Sequence, residues 1–159
     1  MCSSDLTKAA DEYANDLGVS PDGSRVFVTG FSGQEFGRFD YATVAYKAST
    51  GARLWVKGYN GPGNNDDEAS ALGLSPDGST LVVTGTSFGA TGSPDYATVA
   101  YDASSGGQLW VKRYDGPAGA DDYAYALALS PRGCAVFVTG QSPGRTSNYD
   151  YATVAYRLP

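Results

Sequence analysis

The sequence predicts an all-β fold made of three copies of one four-strand unit, and three observations predict it. The stretch Asp40-Tyr41-Ala42-Thr43-Val44-Ala45-Tyr46 returns unchanged at 95–101 and at 150–156, a period of 55 residues. Self-similarity at such a period marks a repeat architecture, in which each copy is one supersecondary unit. Strand-sized runs also alternate with turn signals throughout. Finally, 21 glycines and 8 prolines suit many tight turns, and 12 tyrosines suit pleated, half-buried surfaces.

Each unit begins with run A: residues 14–19, then 69–74, then 124–129. In the second and third copies one side of an alternating strand would carry only small residues, Ala69, Ala71 and Gly73 or Ala124, Ala126 and Ala128. Such a face fits a place where sheets converge. A turn follows, Ser20-Pro21-Asp22-Gly23, repeated as Ser75-Pro76-Asp77-Gly78 and altered to Ser130-Pro131-Arg132-Gly133. Proline presets φ there and glycine accepts a positive φ. Run B is Val26-Phe27-Val28-Thr29, with counterparts at 81–84 and 136–139; it is apolar on both faces, so both faces should be covered.

A loop of about ten residues is expected before run C, the Asp-Tyr-Ala-Thr-Val-Ala-Tyr stretch. A second turn, Ala48-Ser49-Thr50-Gly51 or Ala103-Ser104-Ser105-Gly106, leads into run D, 54–59 and 109–114. Run D carries a lysine in mid-strand, Lys57 or Lys112, which suits an outer strand because charge on an edge discourages edge-to-edge pairing. Four short antiparallel strands, small inside and larger outside, describe one blade of a β-propeller. The units are therefore read as blade 1 at about 11–60, blade 2 at about 66–115 and blade 3 at about 121–159, the last lacking its outer strand. A parallel β-helix is the competitor; its coils are shorter, and tight hairpin turns such as S-P-D-G do not belong in it.

Residues 45–55, A-Y-K-A-S-T-G-A-R-L-W, and 100–110, A-Y-D-A-S-S-G-G-Q-L-W, resemble the A-x-D-x-x-T-G-x-x-x-W repeat of the pyrroloquinoline-quinone-like (PQQ-like) propellers. The V-T-G element and the S-P-D-G turn also look like repeats of bacterial extracytoplasmic β-propellers. The resemblance implies that Trp55 and Trp110 are structural, docking on the neighbouring blade near its T-G turn. It also suggests a location outside the cytoplasm. It implies little about activity, since the family includes quinoprotein dehydrogenases, assembly scaffolds and proteins of no known activity. The adjacent cysteine pair of many quinoproteins is absent from this sequence.

Propellers typically need about 4–8 blades, and three cannot comfortably surround an axis. The chain is thus expected to be a fragment of a longer propeller or a protomer that completes a ring by self-association, since its outer blades would leave apolar flanks open. Residues 1–4 fall where a run D would lie but lack its V-K-x-Y character.

Composition narrows the function. A net charge of −6 disfavours nucleic acid and anionic membranes as partners. No apolar run reaches the roughly 20 residues of a membrane helix, and the first ten residues have no apolar core of a secretory signal. There is no histidine, the commonest general base and metal ligand. Cys2 and Cys134 do not recur in the other units and form no C-x-x-C, so no redox or metal framework is written, and nothing supports a disulfide between them.

Two chemistry-bearing patterns stand out. Gly85-Thr86-Ser87-Phe88-Gly89 and Gly140-Gln141-Ser142-Pro143-Gly144 match G-x-S-x-G, but a nucleophile elbow needs a strand-to-helix turn and a histidine. Acidic residues cluster at one end of the units: Asp66, Asp67 and Glu68, Asp121 and Asp122, Asp11 and Glu12, with Asp40, Asp95 and Asp150 at the entry to run C. A ring of carboxylates could hold a hard cation or another ligand. Because these residues recur once per unit, capping of backbone N–H groups at strand entrances explains them more simply. The candidate ligand-binding residues are Asp40, Asp95, Asp150, Asp66 and Asp121, with no catalytic residue, cofactor or metal assigned.

The expected function is a non-catalytic scaffold or binding module. Its partners would be further blades or a second copy, with a small molecule, glycan or protein as ligand, and neither nucleic acid nor membrane insertion. The alternative is part of a PQQ-type oxidoreductase or of a propeller glycosidase; the latter needs two carboxylates roughly 5–10 Å apart, which many acidic residues here could meet by chance.

Overall fold

The computed structural model describes residues 11–33, 38–146 and 148–158. These hold eleven antiparallel strands and, among the described residues, no helix. Sheet 1 contains β1 (Glu12–Val19), β2 (Arg25–Gly33), β3 (Phe39–Lys47) and β4 (Arg53–Tyr59) in that spatial order. Sheet 2 repeats the arrangement with β5 (Asp67–Leu74), β6 (Thr80–Phe88), β7 (Pro94–Asp102) and β8 (Gln108–Tyr114). Sheet 3 has three strands, β9 (Tyr123–Leu129), β10 (Ala135–Pro143) and β11 (Tyr149–Arg157). Sequential strands are spatial neighbours, so every connection within a sheet is a hairpin. Residues 1–4 and Cys2 lie outside the described residues; Cys134 is an exposed free thiol.

Each repeated motif has a physical reason. In the S-P-D-G turns, Gly23 N–H donates to Ser20 O at 2.8 Å and Gly23 sits at φ +69°. Gly78 and Gly133 adopt φ +71° and +69°. The Asp22 carboxylate receives the Ser20 and Ser24 hydroxyls and the Ser24 N–H. The threonines of runs B and C pair across the sheet: Thr29 Oγ1 lies 2.9 Å from Thr43 Oγ1, and the Thr84–Thr98 and Thr139–Thr153 pairs are both 3.0 Å apart. A buried hydroxyl without a partner would be costly, so the two motifs satisfy each other.

The V-T-G glycines answer a different need. A Cβ on Gly30, Gly85 or Gly140 would lie 1.8, 2.1 or 1.9 Å from the carbonyl oxygen of Tyr13, Glu68 or Tyr123 on the first strand of the same sheet. The register slips by one residue at this point, between Ala14 and Asp16, between Ala69 and Ala71, and opposite Thr139 and Gly140. Such bulges bend a strand and raise its twist. They also correct the expected face of small residues on run A. After the slip, Ala69 and Leu72 share one side and Ala71 lies on the other, because Ala69 pairs with Gly85, Ala71 with Thr84 and Leu72 with Val83. The loop before run C is shorter than expected as well. The β2–β3 ladder continues to Ser32↔Asp40 and Gly33↔Phe39, and β6–β7 continues to Phe88↔Pro94.

The sheets stack in sequence. Among the first strands, β5 neighbours both β1 and β9, and it also meets β2 and β3. Gly18 of β1 takes the Leu72 side chain, and Gly73 of β5 takes Leu127 and Leu129. One apolar core fills the junction between sheets 1 and 2, centred on Phe27, Tyr41, Trp55, Leu81, Val83 and Tyr101. A second, with Val82, Tyr96, Val136 and Val138, fills the junction between sheets 2 and 3. Val82 and Val83 point into different cores, so run B of the middle sheet is covered on both faces. Among the described residues, sheets 1 and 3 each meet one neighbouring sheet. Strands β4 and β8 are sheet edges and carry Lys57 and Lys112 exposed.

Candidate functional site

Two regions bear on function: the ends of the sheets where the aspartates gather, and the faces through which sheets meet.

At the junctions, one hydrogen bond recurs. Tyr41 Oη donates to Ala97 O at 3.1 Å, from sheet 1 to sheet 2, and Tyr96 Oη donates to Ala152 O at 3.4 Å, from sheet 2 to sheet 3. Tyr151 is the third member of the series and is 86% exposed, against 1% for Tyr41 and 0% for Tyr96. Around it Tyr125, Phe137 and Tyr149 are also exposed, and Tyr125, Gln141, Tyr149 and Tyr151 line a shallow hollow of about 440 Å3. The opposite face of the stack exposes Leu17 and Val19 of β1.

The tryptophans follow the same polarity. Trp55 is buried; its Nε1 donates to Ala103 O at 3.2 Å in the second turn of the next unit. Its ring packs so close to Gly106 that a Cβ there would lie 2.8 Å from it. Phe27 and Tyr101 flank the ring, with centroids 5.8 and 6.3 Å away. Trp110 is half-buried beside Tyr156, at 6.0 Å, and its Nε1 is buried without a hydrogen-bond partner.

The aspartates divide into two kinds. Asp66 accepts the Phe39 N–H of sheet 1 at 3.2 Å, and Asp121 accepts the nearby Tyr123 hydroxyl at 3.3 Å. Asp150 is exposed at the start of β11. Asp40 is half-buried, and its carboxyl is raised above the usual range by desolvation and then by the charge of Asp67. Asp67 is buried and accepts two backbone N–H groups, from Gly61 at 2.6 Å and Phe88 at 3.2 Å. Burial still raises its carboxyl, although these donors and the Ser87 hydroxyl oppose the shift.

Asp95 occupies the matching place in sheet 2 and is held by Arg113, whose Nη2 lies 2.9 Å from Asp95 Oδ2. The same guanidinium donates to Ser87 Oγ and Ser87 O, both at 2.6 Å, and to Tyr59 Oη at 3.3 Å. Desolvation raises the Asp95 carboxyl; Arg113 opposes it, while Asp115 and Asp122 add to it. One oxygen each from Asp95, Asp115 and Asp122 lie within 4.8 Å of one another.

The structure thus gathers Asp95 with Asp115 and Asp122 and sets Asp40 beside Asp67, while Asp66 caps the start of β3 and Asp121 turns to Tyr123. Sequence reasoning did not single out Arg113 and Asp115. The signal was present as a break in the repeat, since the residues 55 positions earlier are Gly58 and Asn60. Ser32, Ser87 and Ser142, the serines of the G-x-S-x-G register, are buried on strands β2, β6 and β10. They lie within strand ladders, and among the described residues no helix follows them.

The chain is therefore an all-β protein of three stacked antiparallel sheets. No protein-family model matches it, and no curated protein matches it. Among solved structures it is similar to hydrazine synthase of Kuenenia stuttgartiensis, with a TM-score of 0.54 and 15% sequence identity. The likeness covers 77% of this chain and 35% of that one, so the chain spans about a third of that relative's length. At this identity the likeness concerns the fold alone.

Proposed function

We propose that the chain is a segment of a β-propeller of the PQQ-like type, acting as a non-catalytic scaffold or binding module. Its two open faces would be completed by further units of the same kind, from a second copy or from a longer chain. The observation that carries this reading is the directional Tyr-to-carbonyl bond. It is made at both internal junctions, and the third tyrosine of the series, Tyr151, stands exposed. The opposite face offers Leu17 and Val19, whose counterparts Leu72 and Leu74 pack into the junction between sheets 1 and 2. Exposed apolar patches of this kind mark interaction surfaces.

Because the two faces differ, association would be head to tail and would close into a ring if the rotation permits. Sedimentation velocity at micromolar concentrations tests the reading. The chain should sediment as a concentration-dependent oligomer, and the double substitution Phe137→Ser, Tyr151→Ser should shift it to monomer without loss of β-structure by circular dichroism. A stable, monodisperse monomer of the unsubstituted chain refutes it.

A further inference from the structure

The junction between sheets 2 and 3 departs from its sister junction in three linked ways. In the first junction, Asp67 Oδ1 accepts the Phe88 N–H and Oδ2 accepts the Gly61 N–H. In the second, Asp122 Oδ2 accepts the matching Gly116 N–H at 2.6 Å, but the residue matching Phe88 is Pro143, which has no N–H to give. Asp122 Oδ1 is accordingly buried without a partner, in a residue that is 0% exposed.

The second departure adds charge. Asn60 of the first junction is replaced by Asp115, which follows Tyr114 and so lies across from Asp95, by continuation of the Tyr96↔Tyr114 pair. Like charges directly opposite on paired strands repel. The third departure supplies one positive charge, Arg113 in place of Gly58, bound to Asp95 Oδ2. Three carboxylates and one guanidinium leave a net charge of about −2 with all carboxylates ionised.

Further atoms stand without partners there. Asp95 is 6% exposed and its Oδ1 is buried and unpaired. Ser142 is 3% exposed, and its hydroxyl oxygen, which belongs to no acidic group, is also unpaired. Ser142 Oγ and Asp122 Oδ1 lie 2.3 and 2.6 Å from the point where a Cβ on Gly116 would sit, so both border the same small space. The Asp122 N–H donates to Pro94 O at 2.7 Å and pins the loop against the start of β7. Asp115 is exposed, which leaves the cluster open to solvent on one side. Unpaired buried oxygens of this kind are rare because each forfeits its hydration.

We infer that Asp95, Asp115 and Asp122 bind one hard divalent cation, of which Ca2+ is the representative, at the junction between sheets 2 and 3. Carboxylate and hydroxyl oxygens are the ligands such ions take, with water completing the shell. A charge of 2+ neutralises the cluster and gives the orphaned oxygens a partner. Bound there, the ion ties the edge of sheet 2 to the loop that enters sheet 3.

The test is calorimetric titration of chelator-treated protein with CaCl2, and separately with MgCl2, alongside thermal melts. The chain should bind one cation with a dissociation constant of about 1 mM or tighter, and its melting temperature should rise. Asp115→Asn copies the sister junction at an exposed position, so the fold should survive; binding should weaken by about tenfold or more. Pro143→Ala returns an N–H toward Asp122 and should also weaken binding. Absence of binding and of any melting shift with either ion refutes the inference, as does unchanged affinity in Asp115→Asn. Neither outcome bears on the open faces, which sedimentation tests separately.

Discussion

Trp55 and Trp110 occupy the same place in consecutive copies of L-W-V-K, yet only one is fully engaged, and the pair offers an internally controlled test of what the docking ring contributes. Trp55→Ala removes a buried ring that packs on Phe27, Tyr101 and Gly106 and a bond to Ala103 O. A buried aromatic covers roughly 200 Å2, which at about 25 cal/mol/Å2 sets an upper figure near 5 kcal/mol. Core Trp→Ala substitutions typically cost about 3–5 kcal/mol. Trp110→Ala removes a half-buried ring with one aromatic neighbour and no Nε1 bond, so about 1–2 kcal/mol is expected. Trp55→Phe, which keeps most of the ring and loses the N–H, should fall near 1 kcal/mol. Urea titrations followed by far-ultraviolet circular dichroism give the three values. The reasoning fails if Trp110→Ala costs as much as Trp55→Ala, or if Trp55→Phe costs as much as Trp55→Ala.

Two further outcomes are expected. Gly85→Ala should destabilise by about 3 kcal/mol, because its Cβ meets the Glu68 carbonyl at 2.1 Å and the backbone must shift. Gly23→Ala, at φ +69° with open space around it, should lose only about 1 kcal/mol; chemical denaturation separates the two. Stability should also peak at mildly acid pH. Asp40, Asp67, Glu68 and Asp95 have carboxyls raised by burial, so the folded chain takes up protons first and gains stability as pH falls from neutrality toward the ordinary values of 3.8 and 4.5. Asp22, Asp77 and Asp102 are held down to about 2, chiefly by serine hydroxyls, so their contribution is present above 3.8 and is lost as pH falls from there to 2. Being exposed, they contribute weakly. Melting temperature measured from pH 7 to pH 2 in a metal-free buffer checks both limbs; a monotonic decline from pH 7 refutes the first.

What the sequence made legible was whatever recurs. The period placed the units, and the turn chemistry of S-P-D-G placed the hairpins. The lysines of run D marked β4 and β8 as edges. The alternation argument failed on run A because a one-residue register slip is invisible to a period-two pattern. Its signature was the V-T-G glycine on the neighbouring strand, where Gly85 leaves room for the Glu68 carbonyl. The acidic cluster was visible as composition but not as geometry. Asp66 and Asp67 are adjacent in the chain, yet one meets the Phe39 N–H and the other the Gly61 and Phe88 N–H groups, and no spacing rule separates them. The cation cluster lay in departures from the repeat: Gly58 to Arg113, Asn60 to Asp115 and Phe88 to Pro143. Those changes acquire meaning only when the two junctions are superimposed.

The glycines under the leucine tips have one more consequence. Where Gly18 receives Leu72 and Gly73 receives Leu127 and Leu129, adjacent first strands approach as closely as a missing side chain allows. The third position of that series is Ala128, one methyl larger. A side chain larger than that methyl at any of the three places would push neighbouring sheets apart, so the closeness of the stack is set by its smallest residues.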